Sequence, residues 1–218
     1  MWTDSFCERL ATDDQLPFWI AVVLDPDAGT RPFEECVDRL NLKAGIPPYA
    51  FQRIWELEEV EPSAEPVFER LEFHQALIWR ATFGSYVCTG HLADDRHSFF
   101  WGIGMKHGTS CIMGRHSAPD NGFFQQQRRF DYFDGEGNER VAAVTQVDAR
   151  WRFDAGGPVQ PFEDESTYKR RPIRNCFTVD DLRSLLERAG IPVRTPELMK
   201  PADDRVLGLS HYYPKRRQ

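Results

Sequence analysis

Five of the six histidines in this chain fall between residues 74 and 116: His74, His91, His97, His107 and His116, with Cys88 and Cys111 among them. Imidazole and thiolate are zinc's preferred ligands and also the bases and nucleophiles of covalent catalysis. Cys88-x2-His91 and His107-x3-Cys111 make two short clips separated by 15 residues, and together they offer four donors for one tetrahedral zinc. Asp94, Asp95, His97 and His116 lie near enough in sequence to replace one ligand and leave a position open for chemistry. The plainer reading is core histidines and small buried thiols. His107 and Cys111 also have the types of a base–nucleophile pair. Four residues apart on an extended strand they would be about 13 Å apart, so such a pair needs the chain to fold back at Gly108.

A second set of residues is more dispersed. Arg80 in Leu77-Ile78-Trp79-Arg80, then Thr109-Ser110, then Glu163-Asp164-Glu165 follow one another along the chain. This order resembles that of the arginine–serine–glutamate ADP-ribosyltransferases, and His107-Gly108-Thr109 resembles the histidine motif of the poly(ADP-ribose) polymerase branch. The resemblance covers about eight scattered positions. It implies that Arg80 and the hydroxyls clamp a dinucleotide while Glu165 stabilises the developing ribosyl cation. A third set is basic: Lys169-Arg170-Arg171 and Arg174, beside Tyr168, could join Arg128-Arg129 and Arg150/Arg152 to face phosphates or stacked bases. Glu163, Asp164 and Glu165 just upstream could equally neutralise it, and a pI near 5.4 argues against a dedicated nucleic-acid binder. Phosphate-binding and dinucleotide-binding glycine loops, His-Glu-x-x-His and Gly-x-Ser-x-Gly are all missing from the sequence.

Charge is unevenly placed. The net charge is −7, but residues 1–73 carry −10 and residues 74–218 carry +3. An acidic first third repels nucleic acid and steers basic partners toward it; its plainer reading is a solvated face that keeps the chain soluble. With no catalytic signature, the leading expectation is a non-catalytic, cytosolic, inhibitor- or immunity-type protein. It would bind a basic protein partner through Glu56, Glu58, Glu59 and Glu61, with Asp13 and Asp14 as lesser contributors. The alternative is an enzyme whose site lies in residues 74–116, either a metal-assisted hydrolase using zinc or an ADP-ribosyltransferase-like enzyme. Arginine outnumbers lysine 22 to 5, which suits anion recognition and equally a GC-rich bacterial genome.

The elements that must position these groups follow from periodicity. A chain of 218 residues, 41% hydrophobic and 28% charged, suits one globular domain with an ordinary core. No apolar run approaches the roughly 18 residues a membrane span needs. The start of the chain lacks signal-peptide character, and five dispersed cysteines read as reduced thiols. Residues 1–66 read as the acidic, mainly helical part, with a short helix to Leu10, a buried strand Phe18–Leu24 and a helix begun by Thr30 and Pro32. A further helix after Pro47-Pro48 would turn Phe51, Ile54, Trp55 and Leu57 inward. Residues 67–218 read as β-rich, with strands at Phe73–Phe83, Ser85–Thr89, Ser98–Met105 and Thr109–Gly114. A long hairpin follows, from Phe123–Phe133 through Asp134–Asn138 into one return strand. That strand would place Val141, Ala143, Thr145, Val147, Ala149, Trp151 and Phe153 on one face. Five of the six tryptophans, Trp19, Trp55, Trp79, Trp101 and Trp151, fall in segments that read as core. Thr178 and Asp181 open a helix whose stripe is Leu182, Leu185, Leu186 and Ala189, stopped by Gly190, and Val206–Tyr213 makes a last strand. The expected class is α+β: a twisted antiparallel sheet from the central and C-terminal parts, helices packed from the N-terminal third, and one C-terminal helix.

Overall fold

The computed structural model describes residues 4–16, 18–24, 29–43, 52–56, 75–90, 97–117 and 126–211. The α+β expectation holds. In chain order the elements are α1 (Asp4–Thr12), β1 (Phe18–Val23), α2 (Arg31–Lys43), β2 (Gln52–Glu56), β3 (Gln75–Ala81), β4 (Tyr86–Gly90), α3 (His97–His107), β5 (Cys111–Ser117), β6 (Gln127–Phe133), β7 (Glu139–Val147), β8 (Arg150–Gly156), α4 (Val179–Arg188) and β9 (Pro201–His211). The strands form one nine-stranded sheet in the order β2-β9-β3-β4-β1-β5-β6-β7-β8. Every neighbouring pair is antiparallel.

Helices cover both faces of this sheet, which is why its central strand is apolar throughout. All six residues of β1 are buried. Phe18, Ile20 and Val22 join one core with Leu182, Leu185 and Leu186 of α4 and Leu10 of α1. Trp19, Ala21 and Val23 point the other way, into a core with Phe33 and Val37 of α2 and Phe99, Phe100 and Ile103 of α3. The start of α4 is as the sequence indicates. The Asp181 amide donates to Thr178 Oγ1 (3.2 Å), and Asp181 Oδ2 accepts from the Thr178 amide (2.8 Å), satisfying two donors the helix leaves free.

Three local expectations are corrected. Residues 98–105 are helical rather than extended: Phe99, Phe100, Ile103 and Gly104 are buried, a helical spacing, while Trp101 and Met105 one turn apart are exposed. Trp101 is therefore not a core residue. Glycines at 102 and 104 argue locally against a helix, but they let it pack closely: a Cβ on Gly102 would sit 3.4 Å from Cys36 Sγ on α2. Residues 52–56 form an edge strand on β9 instead of a helix, with Gln52 opposite His211 and Glu56 opposite Leu207. The neighbouring positions Phe51 and Leu57 lie outside the described residues. Here β pairing to a long strand outweighs weak local helix preference.

The third correction concerns the hairpin's return strand, which is two strands. Asp148 (φ 49°) and Ala149 (φ 60°) make a two-residue turn, with Val147 paired to Arg150. Both positive angles are those of the hairpin turn usually signalled by Asn-Gly, and alanine hides that signal. The turn brings Trp151 opposite Gln146 and Phe153 opposite Val144. Trp151 and Phe153 therefore share a face with Ala142 and Val144, on the α4 side, and not with Val141 and Ala143.

Candidate functional site

A compact group of ionisable side chains lies where α3 meets β6 and β7. Asp131 and Phe133 alternate with the buried Phe130 and so face α3 rather than α4. Glu139 opens β7 opposite Phe133, while Asp131 is opposite Val141, so the two carboxylates are diagonal neighbours on one face. The turn between the strands is held by Asp134. Its Oδ1 accepts from the amides of Glu136 (2.8 Å) and Asn138 (3.0 Å), and its Oδ2 accepts from Asn138 Nδ2 (2.6 Å). That turn sets where Glu139 begins.

His97, the first residue of α3, completes the group. Its ring meets the Phe133 ring edge-on at 5.2 Å. Its Nε2 lies 2.9 Å from Glu139 Oε1 and 3.5 Å from Asp131 Oδ1. Arg129 grips Asp131 from the other side, with Nε donating to Oδ2 (2.7 Å) and Nη2 to Oδ1 (2.6 Å). The Asp131 side chain is 5% exposed, whereas His97 and Glu139 are 27% and 35% exposed and open to ligands.

The electrostatics follow from that burial. The carboxylate of Asp131, then that of Glu139, pulls the His97 pKa above its ordinary value, against the opposing effect of burial. Glu139 is nearer, but Asp131 is out of water and holds the ring proton more strongly. Burial pushes the Asp131 pKa up, yet the hydrogen bonds from His97 and Arg129 outweigh it and keep the carboxyl below its usual range. Among the described residues, His97, Asp131 and Glu139 are the one group of three or more ligand-type side chains whose donor atoms lie within 4.8 Å of one another.

Apart from His97, the described residues singled out from sequence sit elsewhere. His107 closes α3, ten residues and about 15 Å along the helix from His97. Its Nε2 is 3.9 Å from Glu35 Oε2, and burial lowers its pKa. Glu35 is committed to Lys106 (2.5 Å) and Arg31 (2.6 Å), whose hydrogen bonds hold its pKa down at about 2. Cys111 is fully buried, and burial pushes its thiol up to about 12, far from a thiolate nucleophile. Cys88 is also fully buried and stands on β4, separated from Cys111 on β5 by β1. His91 lies outside the described residues.

Arg80 is exposed on β3, while Glu165 is exposed in the 3-10 turn Glu165–Lys169. That turn belongs to the β7–β8 end of the sheet, where Tyr168 stacks on Phe153 (5.1 Å) and Glu163 pairs with Arg140. From β3 to β7 is five strand spacings, about 24 Å, so Arg80 and Glu165 are not brought together. Glu163 is a buried staple: it accepts from Arg140 Nε (2.9 Å) and Nη2 (2.8 Å) and from Tyr168 Oη (2.6 Å). Glu56 lies on β2 with its side chain outside the described residues, as are Glu58, Glu59 and Glu61.

Of the site's members, only His97 falls in the histidine-rich stretch. Asp131 and Glu139 come 34 and 42 residues later, and nothing in their spacing from His97 marks them as partners. The hairpin motif Asp134–Asn138, which carries Glu139 back toward Asp131, was the one available signal. Comparison with family models, with curated proteins and with solved structures finds no match to this chain.

Proposed function

We propose that this protein binds a divalent transition-metal cation through His97, Asp131 and Glu139 and uses it in metal-assisted hydrolysis. The observation that carries this reading is the convergence of one imidazole nitrogen and two carboxylates from three separate elements within 4.8 Å. Ligands about 2.1 Å from a tetrahedral metal lie about 3.4 Å from each other. The separations of 2.9 and 3.5 Å from His97 Nε2 are close to that spacing. One nitrogen and two oxygens suit zinc or manganese. Three protein ligands leave further coordination positions open, and a cation there lowers the pKa of water toward neutrality. Arg129 keeps Asp131 oriented, the usual work of a group behind a metal ligand. Without a cation, the proton on His97 bridges the two carboxylates. Binding therefore displaces a proton and strengthens as pH rises through the elevated His97 pKa.

The test is calorimetric titration of chelator-treated protein with Zn²⁺ and Mn²⁺, followed by a panel of activated esters and phosphoesters with the bound metal. One site per chain, absent in His97→Ala and Glu139→Gln, supports the reading. A chain that takes up neither metal refutes the site. Metal bound without hydrolysis of any substrate in the panel removes the catalytic half of the proposal.

A second reading, docking of a basic protein partner, is favoured by the −10 balance of residues 1–73. Reversing Glu58 and Glu59 to Lys should then slow association with that partner and weaken its salt dependence. Unchanged association kinetics would sink this second reading.

A further inference from the structure

A second feature lies on the opposite face of the sheet. Trp151, Arg171, Pro172, Ile173 and Arg174 line a shallow open groove of about 600 Å³ beside edge strand β8. Its walls are almost wholly apolar, so the arginines contribute mainly their aliphatic stems to them. Behind Trp151 lies Arg128, 9% exposed, its guanidinium carbon 4.9 Å from the centre of the tryptophan ring. Arg128 Nη2 donates to the Arg174 carbonyl (2.7 Å), while its buried Nε has no partner.

Among the described residues, no carboxylate pairs with Arg128, Arg171 or Arg174. The carboxylate that acts most on Arg128 is Asp181, and it is committed to Arg170 (2.6 Å) and to the start of α4. A buried guanidinium without a counter-ion is costly, and burial pushes the Arg128 pKa down accordingly. The groove thus offers an aromatic wall beside two exposed guanidiniums, Arg171 and Arg174, that nothing described neutralises, with the Arg128 guanidinium buried behind that wall. A single carboxylate would balance one of the two; a diphosphate balances both. Arginine pairs with phosphate in two-point fashion and indole stacks on bases.

We infer that this groove is a binding site for a small nucleotide, its base stacked on Trp151 and its phosphates held by Arg171 and Arg174. The site is independent of the His97 group, which lies on the other face of the sheet. The test is titration of the full chain with ADP in the presence of chelator, so that metal at His97 cannot contribute. Inorganic phosphate and a fifteen-nucleotide oligo-dT serve as comparison probes. The arginines are exposed, so Arg171→Ala/Arg174→Ala leaves folding intact, and it should weaken ADP binding about tenfold or more. Trp151→Ala should weaken it by a similar factor, with Trp151→Phe restoring most of the loss. No ADP binding, or binding unchanged in the double arginine variant, overturns the inference. Phosphate bound as tightly as ADP removes the stacked base and overturns it too. Oligo-dT bound at least about tenfold more tightly than ADP makes the ligand a nucleic-acid strand and overturns the small-nucleotide assignment.

Discussion

Glu139→Gln separates a metal ligand from a structural partner. The Glu139 side chain is 35% exposed and its described polar contact is with His97. A partly exposed pair of this kind contributes about 1 kcal/mol or less, so the variant should melt no more than about 3 °C below the parent. Losing one of three ligands should instead reduce metal affinity at least about 100-fold, since even groups behind the ligands cost up to that. Asp131→Asn provides the contrast. Its side chain is 5% exposed and takes charged hydrogen bonds from Arg129 at both oxygens, so removing its charge weakens a mostly buried ion pair. That should cost about 1.5–3 kcal/mol and lower the melting temperature by about 5–10 °C. The assay is thermal unfolding of chelator-treated protein with and without Zn²⁺ at about 100 times its dissociation constant. The parent should gain about 2.7 kcal/mol, or about 5–10 °C, and both variants should gain almost nothing. A parent that shows no shift, or a Glu139→Gln variant that shifts as the parent does, would refute the reasoning and leave the four side chains as a charge network that seats α3 on the sheet.

The remaining expectations concern the frame around the two sites. Glu163→Gln, which breaks a pair whose side chains are 5% and 0% exposed, should cost about 3–5 kcal/mol in chemical denaturation; a loss below 1 kcal/mol would mean that Tyr168 and Gln160 hold the loop alone. Burial opposes ionisation of Glu163, but Arg140 and Tyr168 prevail and hold its pKa below the ordinary 4.5. Its contribution is therefore complete above pH 4.5 and lost as pH falls through the depressed folded value, so the parent should lose stability more steeply than Glu163→Gln in that acid range. Ala149→Gly relieves a positive φ at an alanine and should stabilise by about 1 kcal/mol, a rise in denaturation midpoint that a flexible turn would not show. Gly157→Ala should destabilise by at least about 1–3 kcal/mol, because its Cβ would collide with the Glu139 carbonyl oxygen at φ +79°. Unaltered melting of that variant would contradict the close approach of the two chain segments.

Much of the frame was legible in the residues. Thr178 with Asp181 marked the start of α4, Asp134-Gly-Glu-Gly-Asn138 marked the hairpin turn, and the unbroken apolar run of β1 marked a strand covered on both faces. These are local signals, in which side chain and backbone a few residues apart satisfy one another. The helix at 97–107 was not legible, because an uncharged aromatic run with two glycines has no local preference strong enough to show its period. Nor was the turn at Asp148-Ala149, whose angles are imposed by the pairing on either side of it. The candidate metal group depended on all three: the hairpin that returns Glu139 beside Asp131, the sheet face that turns both toward α3, and the helix that begins at His97. The types of its members could be read from the chain, but their meeting could not, because distances of 3.5 and 2.9 Å between residues 34 and 42 positions apart are set by packing. The same holds for Arg128 and Arg174. Sequence placed both in basic stretches, and only the fold set one beneath the other and left their charges without a described counter-ion.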